Sequence, residues 1–129
     1  MALQHIACID DEQDIIQVAT MALDMVGGFR VTAFIGGGQA REGLLADLPD
    51  LILMDVMMPG LSGPELYAAL KTVPEIAPIP VVFMTARVQP SEREEYLALG
   101  ALGVIAKPFD PMTLADELRD LWKASGREA

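Results

Sequence analysis

Short apolar runs of strand length recur along this chain, and a polar residue follows each one immediately. The runs alternate with longer amphipathic stretches, which is typical of repeated βαβ units around a parallel sheet. Because parallel strands end at one edge of a sheet, we expect the polar residues to meet at the edge where open α/β sheets bind ligands. These residues are Asp10 and Asp11 after 6–9, Asp55 after 51–54, Thr85 after 81–84, and Lys107 after 104–106.

Length and composition predict one domain in a reducing compartment. The chain has 129 residues, 52% of them hydrophobic, which is enough for one sizeable core. We expect a single domain over residues 1–129 with its core at about 5–123, and no output domain. Cys8 is the only cysteine and lies inside an apolar run, so a buried thiol is expected. No apolar run approaches the roughly 20 residues of a membrane span, and no signal-peptide pattern is present, so the predicted location is the cytoplasm.

Acidic residues dominate the charge of this chain. Nineteen Asp and Glu against nine Lys and Arg give a net charge of -10, without a basic cluster. A nucleic-acid-binding face requires such a cluster. We therefore expect no nucleic acid partner, and a direct transcription factor is disfavoured.

One stretch differs from the other strand candidates. Residues 29–34 alternate apolar and polar, as in an edge strand with one solvated face, whereas 6–9, 51–54 and 81–84 are apolar throughout, as in buried central strands. Right-handed crossovers and an edge second strand are compatible with the order 2-1-3-4-5. The predicted fold is α/β, a doubly wound five-stranded parallel sheet of the flavodoxin-like (βα)5 type in a three-layer sandwich.

Local signals predict helix ends. The first helix should begin near Glu12, end at Gly27-Gly28 in a left-handed turn, and bury a stripe formed by Ile15, Ala19, Leu23 and Val26. Capping-box patterns at 62–65 and 91–94 predict two further helix starts. Asp110-Pro111 predicts the start of a last helix whose inward stripe is Leu114, Leu118, Leu121 and Trp122.

The predicted strand order brings the polar residues side by side. Neighbouring strands lie about 4.8 Å apart, so Asp55 should lie next to Asp10 and Asp11, with Thr85 one strand further and Lys107 reaching back. Three carboxylates this close repel one another, and a hard dication, Mg²⁺ or Mn²⁺, relieves that repulsion while bridging to a phosphate. Asp55 could then attack phosphorus in line, with Lys107 stabilising the transferring oxygens and Thr85 donating to the phosphoryl group.

Each of these residues has a simpler explanation when taken alone. Asp10-Asp11 and Thr85 could cap helices, Asp55 could begin a turn, and Lys107 could be a solvated surface charge. Their joint occurrence at four strand ends, in this order, favours the phosphoryl site. The glycine run 36–38 is not a phosphate loop, because no Lys-Ser/Thr follows it.

This combination resembles the receiver domain of two-component response regulators, of the chemotaxis-regulator-like, stand-alone type, over about His5 to Lys123. The motifs are Asp10-Asp11, residues 55–63, Thr85-Ala86 and Lys107-Pro108-Phe109. The resemblance implies that Asp55 is the phosphoacceptor, that Lys107 binds the phosphoryl group, and that the Lys107-Pro108 peptide is cis. It further implies magnesium ligands from Asp11, Asp55, the backbone carbonyl of Met57 and, through water, Asp10.

The resemblance also implies partners. It further implies that the chain is not an enzyme, although it catalyses its own phosphorylation and dephosphorylation. The donor would be a histidine kinase or a histidine phosphotransfer protein. A target would bind the face of the fourth helix, fifth strand and fifth helix, and we expect a monomer or weak dimer. The output stays open between phosphorylation-dependent binding of a target and a shuttle or sink between phosphohistidine proteins.

Two other functional classes fit less well. A flavodoxin-like cofactor binder would place a flavin phosphate against the aspartate pair, where like charges repel. Phosphohydrolases with an aspartate nucleophile resemble one another in an Asp-x-Asp pattern after the first strand, whereas here the pair is adjacent and the expected nucleophile follows the third strand.

The sequence departs from the family's usual pattern at several expected modulators. Val104 stands where Tyr or Phe often occurs, so we hypothesise that Tyr96 or the loop 86–91 carries the signal from Thr85. Family resemblance implies that Met57 and Arg87 flank the water that hydrolyses the acyl phosphate. A thioether cannot orient that water as an amide or acid would, so slow self-dephosphorylation is predicted. Two further modulators are expected beside the site, at Ala86 and Pro108.

Overall fold

Five parallel strands form the single sheet of this computed structural model, which describes residues 2–86 and 89–126. The strand order is β2-β1-β3-β4-β5, so the predicted doubly wound topology is confirmed. The strands are β1 His5–Asp10, β2 Arg30–Ile35, β3 Leu51–Asp55, β4 Val81–Thr85 and β5 Gly103–Ala106.

Helices cover both faces of the sheet and complete the predicted three layers. They are α1 Gln13–Met21, α2 Ala40–Ala46, α3 Gly63–Leu70, α4 Pro90–Leu99 and α5 Leu114–Ala124. A π-helical turn, Ala22–Val26, directly continues α1. Within the described residues, no helix combines the length and apolarity needed to cross a membrane.

Alternate residues of the buried strands supply two separate hydrophobic clusters. Ile6, Cys8 and Leu53 pack on one face of the sheet with α1 and α5. Ile9 and Phe83 pack on the other face with α3. This alternation explains why the central strands are apolar throughout, since each of their faces meets a helical layer. The Cys8 thiol is fully buried, as expected, and burial followed by the nearby Asp10 charge raises its pKa to about 12.

Strand β2 lies at the edge and keeps a partly solvated face, as its alternating pattern predicted. His5, the first residue of β1, is buried beside it, with Nε2 2.6 Å from Thr32 Oγ1. Arg30 at the start of β2 pairs with Asp47 at 2.5 Å. These polar contacts connect β2 to β1 and to the loop before β3, at the edge of the sheet where the strands begin.

The buried stripe of the first helix differs from its prediction. Ile16, Ala19, Ala22 and Leu23 are buried, whereas Val26 is 48% exposed and Ile15 is half-buried. Ile15 precedes the π-helical turn and still packs against the core. The exposure of Val26 has its cause in that turn, in which the Gly27 amide donates to the Ala22 carbonyl five residues earlier. The wider turn shifts the phase of the helix. The predicted left-handed end is confirmed at Gly28, with φ of 74°.

Two of the four predicted helix starts are confirmed, and two are misplaced. Helix α1 begins at Gln13 with Glu12 as its N-cap, as predicted. At α3, the Glu65 amide donates to Ser62 Oγ at 3.3 Å and the Ser62 amide donates to Glu65 Oε1 at 3.1 Å, so the capping box is formed. Helix α4 instead begins at Pro90, with Gln89 as N-cap. Proline suits a first helical position because its missing amide is not needed there.

The last helix begins three residues later than predicted. Asp110 Oδ1 accepts from the Met112 amide at 2.8 Å, and residues 111–113 form turns, so the α-helix starts at Leu114. Its predicted inward stripe is otherwise right: Leu114, Leu118 and Trp122 are buried and Leu121 is partly buried.

The tight approach of α3 to the end of β3 predicts the effect of one substitution. A Cβ on Gly63 would overlap the carbonyl oxygen of Asp55 and lie 2.9 Å from Val56 Cα, both of them backbone atoms. We expect Gly63→Ala to lower the free energy of unfolding by about 1–3 kcal/mol because the overpacked backbone must shift. Urea unfolding measures the change.

Gly38→Ala is the matched control, since a Cβ there meets nothing within 4 Å. That variant should stay within about 0.5 kcal/mol of the parent or gain slightly through reduced unfolded-state entropy. Equal urea midpoints for the two variants would contradict the close approach of α3.

Candidate functional site

Four strands deliver polar side chains to the carboxyl edge of the sheet. Asp10 ends β1, Asp55 ends β3, Thr85 ends β4, and Lys107 directly follows β5. Parallel register places Met84 opposite Asp55 and Ala106 opposite Thr85. The side chains of Asp10, Asp55 and Thr85 are buried, with exposures of 0, 2 and 2%. The structure thus brings together the predicted site residues of these strands.

The Lys107 ammonium lies between the buried carboxylates. Its Nζ is 2.9 Å from Asp10 Oδ2 and 3.2 Å from Asp55 Oδ1. Burial alone would lower the pKa of Lys107, but the hydrogen bonds and charges of Asp10 and Asp55 outweigh it and raise the pKa. The ammonium therefore remains protonated and offsets part of the negative charge of the site.

The Asp55 carboxylate is only partly satisfied by its neighbours. Burial and the neighbouring Asp10 charge raise its pKa, and they outweigh the opposing effects of Lys107 and of the Met57 amide. Its Oδ2 is buried without a hydrogen-bond partner among the described residues. One carboxylate oxygen is thus held by the ammonium, while the other has no donor from the part of the chain that the structure describes.

The acidic group has the chemistry of a site for a hard dication. Ligand oxygens of Asp10, Asp11, Glu12 and Asp55 lie within 4.8 Å of one another. Asp11 Oδ1, like Asp55 Oδ2, is buried without a hydrogen-bond partner. Unpaired carboxylate oxygens this close are the ligands that Mg²⁺ accepts while keeping several waters. The residues present therefore fit a magnesium or manganese ion.

The loop after β3 borders the site on its solvent side. Met57 is 68% exposed and shares a surface depression of about 430 Å³ with Asp11, Met58, Pro59 and neighbouring residues. Met58 is buried, as are Met54 and Met84. Met57 instead lies where solvent reaches the acidic group.

The remaining expected modulators have different surroundings. Ala86 is exposed directly after Thr85, whereas Val104 is buried beside Phe83, its partner in the β4–β5 register. The Lys107-Pro108 peptide is cis, as expected. Arg87, together with part of the loop 86–91, lies outside the described residues.

Sequence reasoning missed one member of the acidic group, Glu12. It was interpreted only as the start of the first helix, and Glu12 is indeed the N-cap of α1. Its carboxylate also lies 3.6 Å from Lys107 Nζ. The available signal was that Glu12 is the last of three consecutive acidic residues, which begin with Asp10 at the end of β1.

Curated relatives resemble this chain over almost its full length. The phosphate regulon transcriptional regulatory protein PhoB of Rhizobium meliloti is 34% identical over 98% of this chain and 55% of its own length. The response regulator SaeR of Staphylococcus aureus is 30% identical over 92% of this chain and 50% of its own length. The chain thus spans about half the length of the curated relatives it matches.

Solved structures share the fold. The chemotaxis response regulator CheY4 of Vibrio cholerae superposes with a TM-score of 0.84 at 28% identity, covering 93% of this chain and 99% of the other. A response regulator from Desulfuromonas acetoxidans gives a TM-score of 0.84 at 26% identity, with 94% and 98% covered. Residues 6–119 match the family described as the response regulator receiver domain. The chain therefore belongs to the receiver domain family of two-component response regulators.

Proposed function

We propose that this chain accepts a phosphoryl group on Asp55 from a histidine kinase or a histidine phosphotransfer protein, and that phosphorylation controls its binding to a target protein. One observation carries the proposal: the buried Asp55 carboxylate has Lys107 Nζ 3.2 Å from Oδ1, while Oδ2 lacks a donor among residues 2–86 and 89–126. This is the environment of a nucleophile with a cation held beside it. Membership of a signalling domain family supports the same role.

Transfer would proceed by in-line displacement at phosphorus. A carboxylate oxygen of Asp55 forms the new P–O bond while the P–N bond of the phosphohistidine breaks, and the imidazole leaves with the electron pair. Lys107 donates to the transferring oxygens and stabilises the charge that spreads over them. The Thr85 hydroxyl, at the end of the neighbouring strand, then donates to the phosphoryl group.

We assign the metal position to the acidic group next to Asp55. Asp11, Asp55 and the backbone carbonyl of Met57 would hold Mg²⁺ or Mn²⁺, with Asp10 acting through water. A bound dication neutralises charge on the acceptor and on the phosphoryl oxygens. The unpaired Asp11 Oδ1 and Asp55 Oδ2 support this assignment.

The face of α4, β5 and α5 is the proposed target surface. None of the α4 residues is buried, and Leu97 and Leu99 are 39% and 48% exposed. A depression of about 340 Å³ between β5 and α5 is lined by Val104, Ile105, Glu117, Asp120, Leu121 and Ala124. Exposed apolar residues beside a groove are typical of a protein-binding surface. Tyr96 would carry the signal from Thr85 to this face, because the centroid of its ring lies 5.4 Å from that of the Phe83 ring.

Asp55→Asn tests the acceptor directly. With Mg²⁺ and a small-molecule phosphodonor such as acetyl phosphate, we expect the parent chain to gain one hydroxylamine-labile phosphoryl group and Asp55→Asn to gain none. Intact-protein mass spectrometry measures the gain. Asp24→Asn, an equal charge change at an exposed site, should behave like the parent. Phosphorylation of Asp55→Asn, or steady turnover of a phosphomonoester by the parent, would contradict the proposal.

Met57→Asn tests the modulator position. The exposed thioether beside Asp11 cannot hydrogen-bond a water firmly, so an amide there should orient the hydrolytic water and shorten the acyl phosphate lifetime by roughly tenfold, which is about 1.4 kcal/mol of barrier. Loss of phosphate after removal of the donor measures the lifetime. Met112→Asn is the control, because Met112 is equally exposed, at 67%, outside the acidic group. An unchanged lifetime in Met57→Asn would contradict this role.

The raised pKa of Asp55 predicts a dependence of stability on pH in the absence of divalent cations. The folded chain binds the Asp55 proton more tightly than the unfolded chain, so stability falls as the pH rises from the ordinary aspartate value, about 4, through the raised value. We therefore expect Asp55→Asn to have the higher urea midpoint at pH 7 in chelator, and the advantage to disappear below about pH 4. A lower midpoint for Asp55→Asn at pH 7 would show that the lost Lys107 contact dominates.

A further inference from the structure

We propose that Glu12 is a positioning residue that receives the Lys107 ammonium when a divalent cation binds between Asp10, Asp11 and Asp55, and that it thereby raises the affinity of the site for the cation. The inference rests on the proposed metal site. It assigns a role to a side chain that the motif-based interpretation of the sequence leaves unused.

Lys107 has three carboxylate neighbours in the part of the chain that the structure describes. Nζ lies 2.9 Å from Asp10, 3.2 Å from Asp55 and 3.6 Å from Glu12. The first two carboxylates are buried, with side-chain exposures of 0 and 2%, whereas Glu12 is 62% exposed. Glu12 is therefore the outer partner, on the solvent side of the ammonium.

The backbone fixes Glu12 at this place. Its amide donates to Asp10 Oδ1 at 2.9 Å, and its carbonyl accepts from the Ile16 amide at 3.1 Å in the first turn of α1. The same contact occupies Asp10 Oδ1, which leaves Oδ2 to face Lys107. These two bonds fix the backbone of residue 12 beside the site, from where its carboxylate reaches to 3.6 Å from Nζ.

A dication and the ammonium compete for the same carboxylates. Without a metal, Lys107 offsets the charge of Asp10 and Asp55; with one, two cations would share these oxygens and repel each other. The ammonium must then move partway off the buried pair. Among its three carboxylate neighbours, Glu12 is the one outside the buried pair, so it can stabilise the displaced position. Because Glu12 is exposed, solvent screening limits the effect.

Calorimetric titration with MgCl₂ alone tests the proposal on the full chain. We expect Glu12→Gln to weaken Mg²⁺ binding by about three- to fivefold, the upper part of the range of an exposed ion pair. Asp14→Asn is the matched control, since Asp14 is an exposed acidic residue in the first turn of the same helix, and its affinity should stay within about twofold of the parent. Circular dichroism verifies that all variants share one fold.

The Lys107→Met background separates positioning from direct attraction. If Glu12 acts through the ammonium, Glu12→Gln should no longer change Mg²⁺ affinity once Lys107 is replaced. A loss that persists in Lys107→Met overturns the inference, and so does an equal loss in Glu12→Gln and Asp14→Asn. A parent chain that binds no Mg²⁺ would instead overturn the proposed metal site itself.

Discussion

The ion pair of Lys107 with two buried carboxylates is the interaction on which the carboxyl edge depends. Asp10 and Asp55 are almost fully buried on adjacent strands, and two uncompensated charges there would cost several kcal/mol each. The compensating ammonium comes from the end of β5, two strands beyond β3 in the sheet. The strand order and the burial of the carboxylates therefore together determine which residue can stand at position 107. From that strand, a long basic side chain is needed to reach both carboxylates.

Much of the fold was predictable from the sequence because its signals are local or periodic. The uninterrupted apolar runs reflect strands covered on both faces, and the alternating stretch before Gly36 reflects the solvated face of β2. The errors have non-local or backbone causes. Nothing in the side-chain pattern indicates the π-helical hydrogen bond from Gly27 to Ala22, which turns Val26 outward. At α4, both Pro90 and Ser91 are suitable residues for a helix start, and the helix begins at Pro90.

The predicted site residues at or directly after the strand ends were brought together because the parallel register decides their neighbours. Glu12 was not predicted, since a residue at a helix start has a sufficient backbone role and its distance to Lys107 depends on how α1 leaves the sheet. The exposure of Met57 could not be predicted from the sequence either. Its sequence neighbours Met54 and Met58 are buried, and composition does not distinguish a core methionine from one at the rim of a site.

The face that would report the state of Asp55 follows from the packing of β4. Phe83 and Thr85 lie two residues apart on one strand and so share a face of the sheet. The Phe83 ring contacts Tyr67 of α3 and Tyr96 of α4, at centroid distances of 5.6 and 5.4 Å. Val104, beside Phe83, is too small to replace either ring. Helix α4 has no buried residue, so it can move at lower cost than the helices with buried stripes. A shift of Thr85 is therefore expected to reach the surface through Phe83 and Tyr96 rather than through β5.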